Sequence, residues 1–401
     1  MKQKLLVLTT TFPRWKNDPD PPFVYELARR LTANFDVTVH TPHYTGSATK
    51  EMMGEIQVHR FRYFFQSCEN LAGSTSILAT LRRNKLYYGV LPFFLAAQLF
   101  SLFILVKKTR PAVIHAHWLF PQGFFAVLLK SFFDIPVVIT AHGADVFGLR
   151  HPLIKAIHRF TLGRADRIIA VSSALREKIN RDIRPVHVDV IPMGVSSEQF
   201  SPAKGASCKE KPGFRNQTIL YVGRLSEKKG VEYLIDAMPR VRKEFPDADL
   251  LIIGSGELEE DLKARAERLG LHESIIFAGP VPNRELPEYY ACSSVFVGPS
   301  IRAQGGDTEG FGLTFVEAAM SGCFLIGSDV GGIGDIIEDG KTGFLVPEKD
   351  SRAIAGKIIY ALKNPDEAKQ MVARARKKCI EKFEWRVILE KYAKVLLEST
   401  A

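Results

Sequence analysis

The chain has 401 residues, of which 46% are hydrophobic and 24% are charged, an ordinary globular composition with enough apolar residues for sizeable cores. This length predicts two or three domains. The five cysteines are scattered and form no CxxC pair, which argues against a disulfide framework and a zinc site and favours a reducing compartment.

The net charge of +10 is concentrated in the first half of the chain. Residues 1–200 contain 25 lysines and arginines against 14 aspartates and glutamates, whereas residues 201–401 contain 29 against 30. This asymmetry predicts that the first half faces an anionic partner, either a membrane surface or a nucleic acid. A basic surface without such a partner explains the asymmetry equally well.

Apolar strands alternate with helical segments from the N-terminus onward. The first apolar run is only six residues long and continues into a polar loop, which indicates a β-strand and not a signal peptide. Phe23–Ala33 and Leu153–Leu162 have helical periodicity. This alternation predicts a doubly wound parallel sheet with right-handed crossovers. The strands predicted in this half are Leu5–Thr10, Val37–Thr41, Ile56–Phe61, Ala112–Ala116, Val137–Ala141, Arg167–Val171 and Val188–Ile191.

The segment Leu86–Val106 contains 21 residues without a charge and is flanked by lysines. Its length permits a transmembrane helix. However, it includes Pro92 and Gln98, and it comes directly before a predicted strand, so a span would split the first sheet. We therefore favour a buried helix, followed by a helix seated on an anionic membrane surface, with a true span as the third interpretation.

Residues 196–217 are rich in Ser, Pro, Gly and Lys and form a predicted linker. The alternation then restarts, which predicts a second α/β domain over residues 218–383 after a first domain over residues 1–195. Ligands of such folds bind at the carboxyl ends of the strands, so two domains predict a cleft between them. The later predicted strands are Ile219–Val222, Leu250–Ile253, Ile275–Phe277, Val295–Val297, Phe324–Ile326 and Phe344–Val346. The last predicted helices are Asp350–Lys363, Pro365–Phe383 and Arg386–Leu397.

The stretch Pro299–Gly322 contains the clearest site motif. A glycine-containing loop leads from the strand Val295–Val297 into a predicted helix, Leu313–Met320, a geometry that presents backbone N–H groups and a positive helix end to an anion. Glu309 and Glu317 are about 80° apart around a helix, and Glu309 precedes the helix. We interpret them as two separate polar contacts to one extended ligand, not as two carboxylates that face one bond.

A second motif, Gly223-Arg224 followed by Lys229, comes at the end of the strand Ile219–Val222. Arginine offers phosphate a bidentate fork and lysine offers it a point charge. Together they can neutralise a departing diphosphate without a divalent metal, so no metal is expected. A solvated run of charges is the alternative interpretation.

Histidines end two strands of the first half. His142-Gly143 follows Val137–Ala141, which places the imidazole at the ligand edge of the sheet. His115 and His117 face one side of another strand, but no Cys, Asp or Glu follows to complete a metal site. We therefore prefer a structural or acceptor-side role for this pair.

In this order across two α/β domains, the motifs resemble the signature of the retaining glycosyltransferases of family 4. Members of this family have the GT-B fold, in which two Rossmann-like domains face each other across a cleft. The resemblance covers nearly the whole chain, and it implies that the last helix, residues 384–401, packs back onto the first domain. The motifs that carry it are His142-Gly143, Gly223-Arg224, Lys229 and Glu309-x7-Glu317.

The resemblance also implies roles for individual residues. His142 would contact the transferred sugar, Arg224 and Lys229 would hold the donor diphosphate, Glu309 would contact hydroxyls of the donor sugar, and Glu317 would bind the ribose diol. The catalytic set implied is His142, Arg224, Lys229 and Glu309. The donor-binding set implied is Gly223, Arg224, Lys229, Gly254, Gly279, Val281, Glu309, Gly310, Phe311, Gly312, Leu313 and Glu317.

The loop after the first strand departs from the family pattern. Family members commonly have glycines there, whereas this chain has Arg14-Trp15 and then a proline-rich stretch. This loop is similar to that of members that act on bacterial surface polysaccharides. The resemblance therefore assigns Arg14 and Trp15 to an acceptor loop and Asp145 to the acceptor pocket, with a rigid surface turn as the alternative.

The function implied is transfer of a hexose, with retention, from a UDP- or GDP-sugar to a glycan or lipid-linked acceptor in cell-envelope polysaccharide or glycolipid biosynthesis. The expected location is the cytoplasm, or the inner face of the plasma membrane through peripheral contact with anionic lipid. The resemblance implies front-face attack, in which the donor phosphate helps to take the acceptor proton.

Three other functions account for part of the sequence. A sugar-nucleotide epimerase shares the architecture and would consume a UDP-sugar without an acceptor. A glycosidase needs two carboxylates across one bond, which the offset of Glu309 and Glu317 argues against. A nucleic-acid-binding protein fits the basic first half, but it would need aromatics interleaved with Lys and Arg. The phenylalanines lie in apolar runs, so no nucleic acid is expected.

Overall fold

The computed structural model describes residues 2–15, 18, 23–72, 77–148, 151–205 and 217–400. They divide into two units. The first contains Met1–Val171, Arg176–Ile191 and Leu389–Ala401, and the second contains Ser172–Leu175 and Pro192–Ile388. Residues 206–216 of the predicted linker lie outside the described residues.

The first unit is built on an eight-stranded sheet in the order β3-β4-β2-β1-β5-β6-β7-β8. All neighbouring strands are parallel except β3 and β4. The strands are β1 (Gln3–Leu8), β2 (Phe35–Pro42), β3 (Lys50–Met53), β4 (Ile56–Phe61), β5 (Val113–His117), β6 (Val137–Ala141), β7 (Arg167–Ala170) and β8 (Asp189–Val190).

The central strands of this sheet are buried along their whole length, as β5 and β6 show. Parallel sheets are covered by helices on both faces, which is why these strands are nearly continuous in apolar residues. The short strand β3 was not predicted, because it has only four residues, two charged and two methionines, and none of them is fully buried. The helices of this part of the chain are α1 (Phe23–Leu31), α2 (Ile77–Arg83), α3 (Tyr87–Thr109), α4 (Phe124–Phe133), α5 (Ala144–Phe147), α6 (Pro152–Arg164) and α7 (Ser173–Lys178).

The interpretation of Leu86–Val106 as a buried helix is wrong in its burial. The structure has a helix there, α3, but most of its apolar surface is not buried. Among the described residues it is the one helix long and apolar enough to cross a membrane, and only 33% of its apolar window is buried. The structure buries one face, which includes Phe94 and Leu102, and exposes Phe93 and Phe100 on another. A helix that packs against one layer can bury only one of its faces.

The second unit has six strands, all parallel, in the order β11-β10-β9-β12-β13-β14. Its core lies between this sheet and the helices that cover it, with α8 packed against α13. The strands are β9 (Thr218–Val222), β10 (Asp249–Ile253), β11 (Ile275–Gly279), β12 (Val295–Gly298), β13 (Phe324–Ser328) and β14 (Phe344–Val346). The helices are α8 (Val231–Glu244), α9 (Glu259–Arg268), α10 (Leu286–Ala291), α11 (Leu313–Ser321), α12 (Ile333–Ile336), α13 (Ser351–Lys363), α14 (Pro365–Phe383) and α15 (Trp385–Glu398).

The final helix, α15, joins the first unit from Leu389 onward. The hydroxyl of Tyr392 donates to the backbone oxygen of Ile191 over 3.0 Å, and the Tyr392 and Leu396 side chains are fully buried. The far end of the chain therefore supplies core residues to the unit that the N-terminus begins.

Among the described residues, the buried free cysteines, Cys323 and Cys379, lie in the second unit, and the half-buried Cys68 lies in the first. Cys68, Cys323 and Cys379 are free, and burial raises the pKa of the Cys379 thiol to about 12. Cys292 is disulfide-bonded, which differs from the sequence-based expectation of reduced cysteines at that position.

Truncation of Leu396 tests the contribution of α15 to the first unit. We expect Leu396→Ala to lower the free energy of unfolding by about 2–5 kcal/mol, because it removes a fully buried side chain and leaves a cavity. Lys391→Ala, on the exposed side of the same helix, should change it by less than about 0.5 kcal/mol. Urea unfolding followed by circular dichroism measures both, and equal effects of the two variants would contradict this account of the helix.

Candidate functional site

Three glycines predicted from separate motifs lie together at the carboxyl edge of the second sheet. Gly223 and Gly254 directly follow β9 and β10, and Gly279 ends β11. The Gly223 N–H donates to the Ile253 oxygen over 3.0 Å, and the Gly254 N–H donates to the Gly279 oxygen over 2.9 Å. Val281 follows two residues after β11.

The approach between these loops is too close for a side chain. A Cβ atom at Gly254 would lie 1.9 Å from the backbone oxygen of Gly223, and Gly254 has a φ of +133°. Such contacts and dihedrals are open only to glycine. Gly223, Gly254 and Gly279 are half-buried, so part of the loop backbone itself forms the surface at this edge, as contact with a phosphate or a flat base requires.

Lys229 and Glu309 form an ion pair at the same edge. Lys229 ends a one-turn 3₁₀ helix after β9, and its ammonium lies 2.5 Å from a carboxylate oxygen of Glu309. Burial raises the pKa of the Glu309 carboxyl, but the charges of Lys229 and Lys228 and the hydrogen bonds from Lys229 and Ser300 outweigh it, so this pKa lies below its usual value. Glu309 is therefore a carboxylate, paired with a cation, at neutral pH.

Arg224 is exposed and follows directly after Gly223. Its backbone is held from beneath, since the buried hydroxyl of Tyr221 donates to the Arg224 oxygen over 2.9 Å. Tyr221 is only 2% exposed. The arrangement fixes the main chain at Arg224 while the guanidinium faces solvent.

Glu317 lies in α11 and is paired with a residue that the sequence analysis did not select. The hydroxyl of the buried Tyr290, in α10, donates to the Glu317 carboxylate over 2.8 Å. Burial raises the pKa of Glu317 to about 7, although the Tyr290 hydrogen bond lowers it. A carboxyl with this pKa changes charge in the physiological range. No local sequence signal marks Tyr290, because the contact joins residues 27 positions apart.

The turn before α11 is built from Gly310, Phe311 and Gly312, and the helix begins at Leu313. Gly312 has a φ of +99°, and Phe311 is only 5% exposed. The N–H groups of the first helical residues form the positive end of the helix, and the turn leads directly into it. Together with the three cations Arg224, Lys228 and Lys229, this edge suits an anionic ligand.

A glycine pair after β13 was also missed by the sequence analysis. The Gly332 N–H donates to the Glu309 oxygen over 3.1 Å, and a Cβ at Gly331 would lie 2.0 Å from that same oxygen. The pair holds the backbone that carries Glu309. Its signal in the sequence is a Gly-Gly step in the loop that follows the predicted strand Phe324–Ile326.

In the first unit, His142 follows β6 and contacts His117 at the end of β5. Nε2 of His142 lies 2.8 Å from Nδ1 of His117, and the two rings stack. His115 is fully buried, and its Nε2 lies 2.8 Å from the Thr140 hydroxyl. Burial, with a further contribution from His115, lowers the pKa of His142 to about 3. The imidazole of His142 is therefore neutral at physiological pH, and one of the two facing nitrogens donates to the other.

Asp145 lies beneath His142 and has backbone partners. One carboxylate oxygen accepts from the N–H groups of His142 and Gly143 over 3.2 and 3.0 Å, and the other accepts from the Leu119 N–H over 3.0 Å. The side chain is 3% exposed. This geometry gives Asp145 a positioning role for the His142 loop, and its predicted contact with an acceptor stays a prediction.

Arg14 and Trp15 form a cation–π group in the loop after β1. The Arg14 guanidinium lies 4.7 Å from the Trp15 ring and 4.8 Å from the Tyr44 ring. Arg14 is also bound to Asp18, with an ion-pair distance of 2.6 Å. Trp15 is 42% exposed. The loop therefore exposes the Trp15 ring, and the Arg14 guanidinium beside this ring is bound to Asp18 of the same loop.

In the described part of the chain, no group of three or more His, Cys, Asp and Glu side chains is arranged to hold a metal ion. The predicted donor-binding residues are brought together within the second unit, and His142 with Asp145 within the first. Each group lies at the carboxyl ends of the strands of its own sheet.

Two family models match the chain. The model described as Glycosyltransferase Family 4 matches residues 22–199, and the model described as Glycosyl transferases group 1 matches residues 209–378. The two matches divide at the predicted linker and together cover both units.

Curated relatives agree with these matches. The chain is 30% identical to a GDP-mannose-dependent alpha-(1-6)-phosphatidylinositol monomannoside mannosyltransferase of Mycolicibacterium smegmatis, over 65% of this chain and 69% of the relative. It is 28% identical to a glycogen synthase of Mycobacterium tuberculosis, over 73% of this chain and 70% of the relative.

Solved structures share the fold. A sucrose-phosphate synthase from Thermosynechococcus elongatus superposes with a TM-score of 0.81 at 21% identity, covering 99% of each chain. The Anabaena HepE protein in complex with UDP superposes with a TM-score of 0.76 at 18% identity, covering 98% of this chain and all of the other. With the family matches and the mannosyltransferase relative, these findings show that the chain belongs to glycosyltransferase family 4 and has the GT-B fold.

Proposed function

We propose that this glycosyltransferase moves a hexose, with retention of configuration, from a nucleoside-diphosphate sugar to a glycan or lipid-linked acceptor of the cell envelope. The observation that carries the proposal is the carboxyl edge of the second sheet. There Arg224, Lys229 and the turn at Gly310–Gly312 offer an anion site between two carboxyl groups, Glu309 and Glu317.

The donor would lie along this edge in an extended conformation. Its nucleoside would rest on the glycine strand ends at Gly254 and Gly279, with the ribose diol at Glu317. Its diphosphate would meet Arg224 and Lys229, and hydroxyls of its sugar would meet Glu309. A carboxylate accepts hydrogen bonds from hydroxyls, and cations with backbone N–H groups bind phosphate.

Catalysis in this proposal rests on positioning and on stabilisation of the leaving group. The bond from the anomeric carbon to the diphosphate oxygen breaks, and Arg224 and Lys229 take up the charge that develops on the departing diphosphate. The acceptor oxygen attacks the face from which the diphosphate leaves, and its proton passes to a donor phosphate oxygen. No side chain forms a covalent bond to the sugar.

His142 would hold the transferred sugar through a neutral imidazole. Because its Nε2 faces His117, its Nδ1 is the nitrogen that would face a hydroxyl. The buried His117 fixes the ring orientation, and Asp145 fixes the loop. Arg14 and Trp15 would contribute to the acceptor site, where an aromatic surface suits a sugar ring.

The names of similar proteins contain two nucleotides, and these guide the proposal for the base of the donor. A relative with 30% identity is described as dependent on GDP-mannose, and a structural neighbour was solved with UDP-glucose. We therefore propose a UDP- or GDP-hexose. The acceptor follows from the same mannosyltransferase relative, whose name gives a phosphatidylinositol glycolipid as its substrate.

Arg224→Ala and Lys229→Ala test the diphosphate site. We expect each to weaken binding of the donor by about tenfold or more, since a charged hydrogen bond to phosphate contributes about 1.5–3 kcal/mol. Isothermal titration calorimetry with the nucleotide sugar that the wild type binds measures the loss. Arg268→Ala, which removes an exposed cation from α9, is the matched control, and wild-type affinity in both site variants would refute the clamp.

The pKa of Glu317 predicts a pH dependence of donor binding. With a pKa of about 7, about a tenth of the carboxyl is ionised at pH 6 and about nine-tenths at pH 8. If the ribose diol requires the carboxylate, the Kd of a nucleotide sugar should fall about tenfold across this range. A nucleotide sugar is the suitable probe because its phosphates do not titrate there.

Two variants separate this effect from other titrating groups. Glu317→Gln should bind the donor more weakly and show no step between pH 6 and pH 8. Tyr290→Phe removes the hydrogen bond that lowers the Glu317 pKa, so the midpoint of the step should move to higher pH. An unchanged step in Glu317→Gln would assign the titration to another residue and remove Glu317 from the ribose site.

A further inference from the structure

Helix α3 exposes an apolar face that no described element covers. We name this surface the α3 face. From its start at Tyr87, α3 contains no charged residue before Lys107. The exposed fractions are 56% for Phe93, 69% for Phe100 and 50% for Ile104. Its large members are Leu86, Phe93, Phe100, Phe103 and Ile104.

The opposite side of α3 fixes the helix to the first sheet. The ring of Phe94 lies 5.3 Å from that of Phe61 and 5.0 Å from that of Tyr63. The hydroxyl of Ser101 lies 3.1 Å from Nε2 of the buried His40. The helix therefore cannot leave the unit to span a membrane without opening this packing, and the α3 face is a fixed outer surface.

The apolar surface continues on both sides of α3. Phe103 packs against Phe133 of α4, with ring centres 5.3 Å apart, and the neighbouring Phe132 is 77% exposed. Toward the other end, Phe93 contacts Phe64 at 5.3 Å. Contiguous exposed patches of large apolar residues indicate an interaction site.

The charged residues that flank α3 in the sequence are basic, and the first acidic residue after it is Asp134, which is exposed at the end of α4. Residues 70–133 contain seven lysines and arginines and no aspartate or glutamate. Arg83 and Lys85 precede the helix, and Lys107 and Lys108 end it, all four exposed. An apolar stripe bounded by cations is complementary to a bilayer surface with anionic headgroups, into which such a helix inserts in the plane of the interface.

We infer that the α3 face docks the protein on an anionic lipid bilayer, with the phenylalanines at the acyl boundary and the flanking cations among the headgroups. Two α3 faces packed against each other would bring like charges together at the ends of the helices, which disfavours a second copy of the chain as the occupant. The inference goes beyond the glycosyl-transfer proposal and does not depend on it, because binding to lipid is measured without turnover.

Vesicle sedimentation with the full chain tests this inference. We expect the protein to sediment with vesicles of phosphatidylcholine that contain about 30% phosphatidylglycerol, and to bind pure phosphatidylcholine at least about tenfold more weakly. Added salt should reduce binding to the anionic vesicles, because it screens the cations. Equal binding to both compositions, or to neither, would overturn the inference.

Two sets of variants assign the binding to this surface. Phe100→Ser with Ile104→Ser should weaken vesicle binding about tenfold or more, and Lys107→Glu with Lys108→Glu should abolish the preference for anionic vesicles. Matched controls on the second unit are Leu269→Ser, which replaces an exposed leucine, and Lys369→Glu with Lys377→Glu on α14.

Unchanged thermal midpoints would show that the variants still fold. Equal losses in the controls would refute the assignment to the α3 face. Light scattering adds an independent readout: a dimer that disappears in Phe100→Ser with Ile104→Ser would identify a second copy as the occupant and overturn the lipid inference.

Discussion

The candidate donor site depends on how closely the loops at the carboxyl edge of the second sheet approach each other. Gly254 packs against the backbone of Gly223 at a distance that a methyl group would prevent, and the glycine pair after β13 packs in the same way beneath Glu309. Because the main chain fills these positions, the loops that carry Arg224 and Glu309 are held in fixed places at the edge of the sheet. The close approach therefore positions the cations and the carboxylate on which the proposed donor site depends.

The two units use ionisable groups differently. In the second unit, Glu309 stays ionised beside Lys229, while burial raises the pKa of Glu317 to about 7. In the first, burial keeps the His142 imidazole uncharged and His117 orients it. In the proposed complex, the cations Arg224 and Lys229 would meet the diphosphate, while the Glu309 carboxylate and the neutral His142 imidazole would meet hydroxyls of the sugar. This division fits chemistry that relies on leaving-group stabilisation instead of a covalent nucleophile.

Local patterns predicted the strands well where burial is complete. Val137–Ala141 has the predicted bounds, since a central parallel strand is apolar along nearly its whole length. The pairing of Tyr290 with Glu317 could not be predicted, because it forms between distant residues only after folding. The helix α3 was predicted, but its exposed face was not, because the helix is apolar on all sides and its sequence does not tell which face packs. The edge strand β3 depends on β4 for its hydrogen bonds and has little pattern of its own.

The most direct test of the account is a thermal-shift measurement with UDP-, GDP- and ADP-sugars and the free nucleotides, each with and without EDTA. Ligands that bind only the folded state raise the unfolding midpoint as they saturate the site. The account predicts a selective rise with the sugars of one nucleotide, UDP or GDP, that EDTA does not alter. Midpoints that no nucleotide moves would contradict a donor site at this edge, and a rise that EDTA abolishes would contradict leaving-group stabilisation by Arg224 and Lys229 alone.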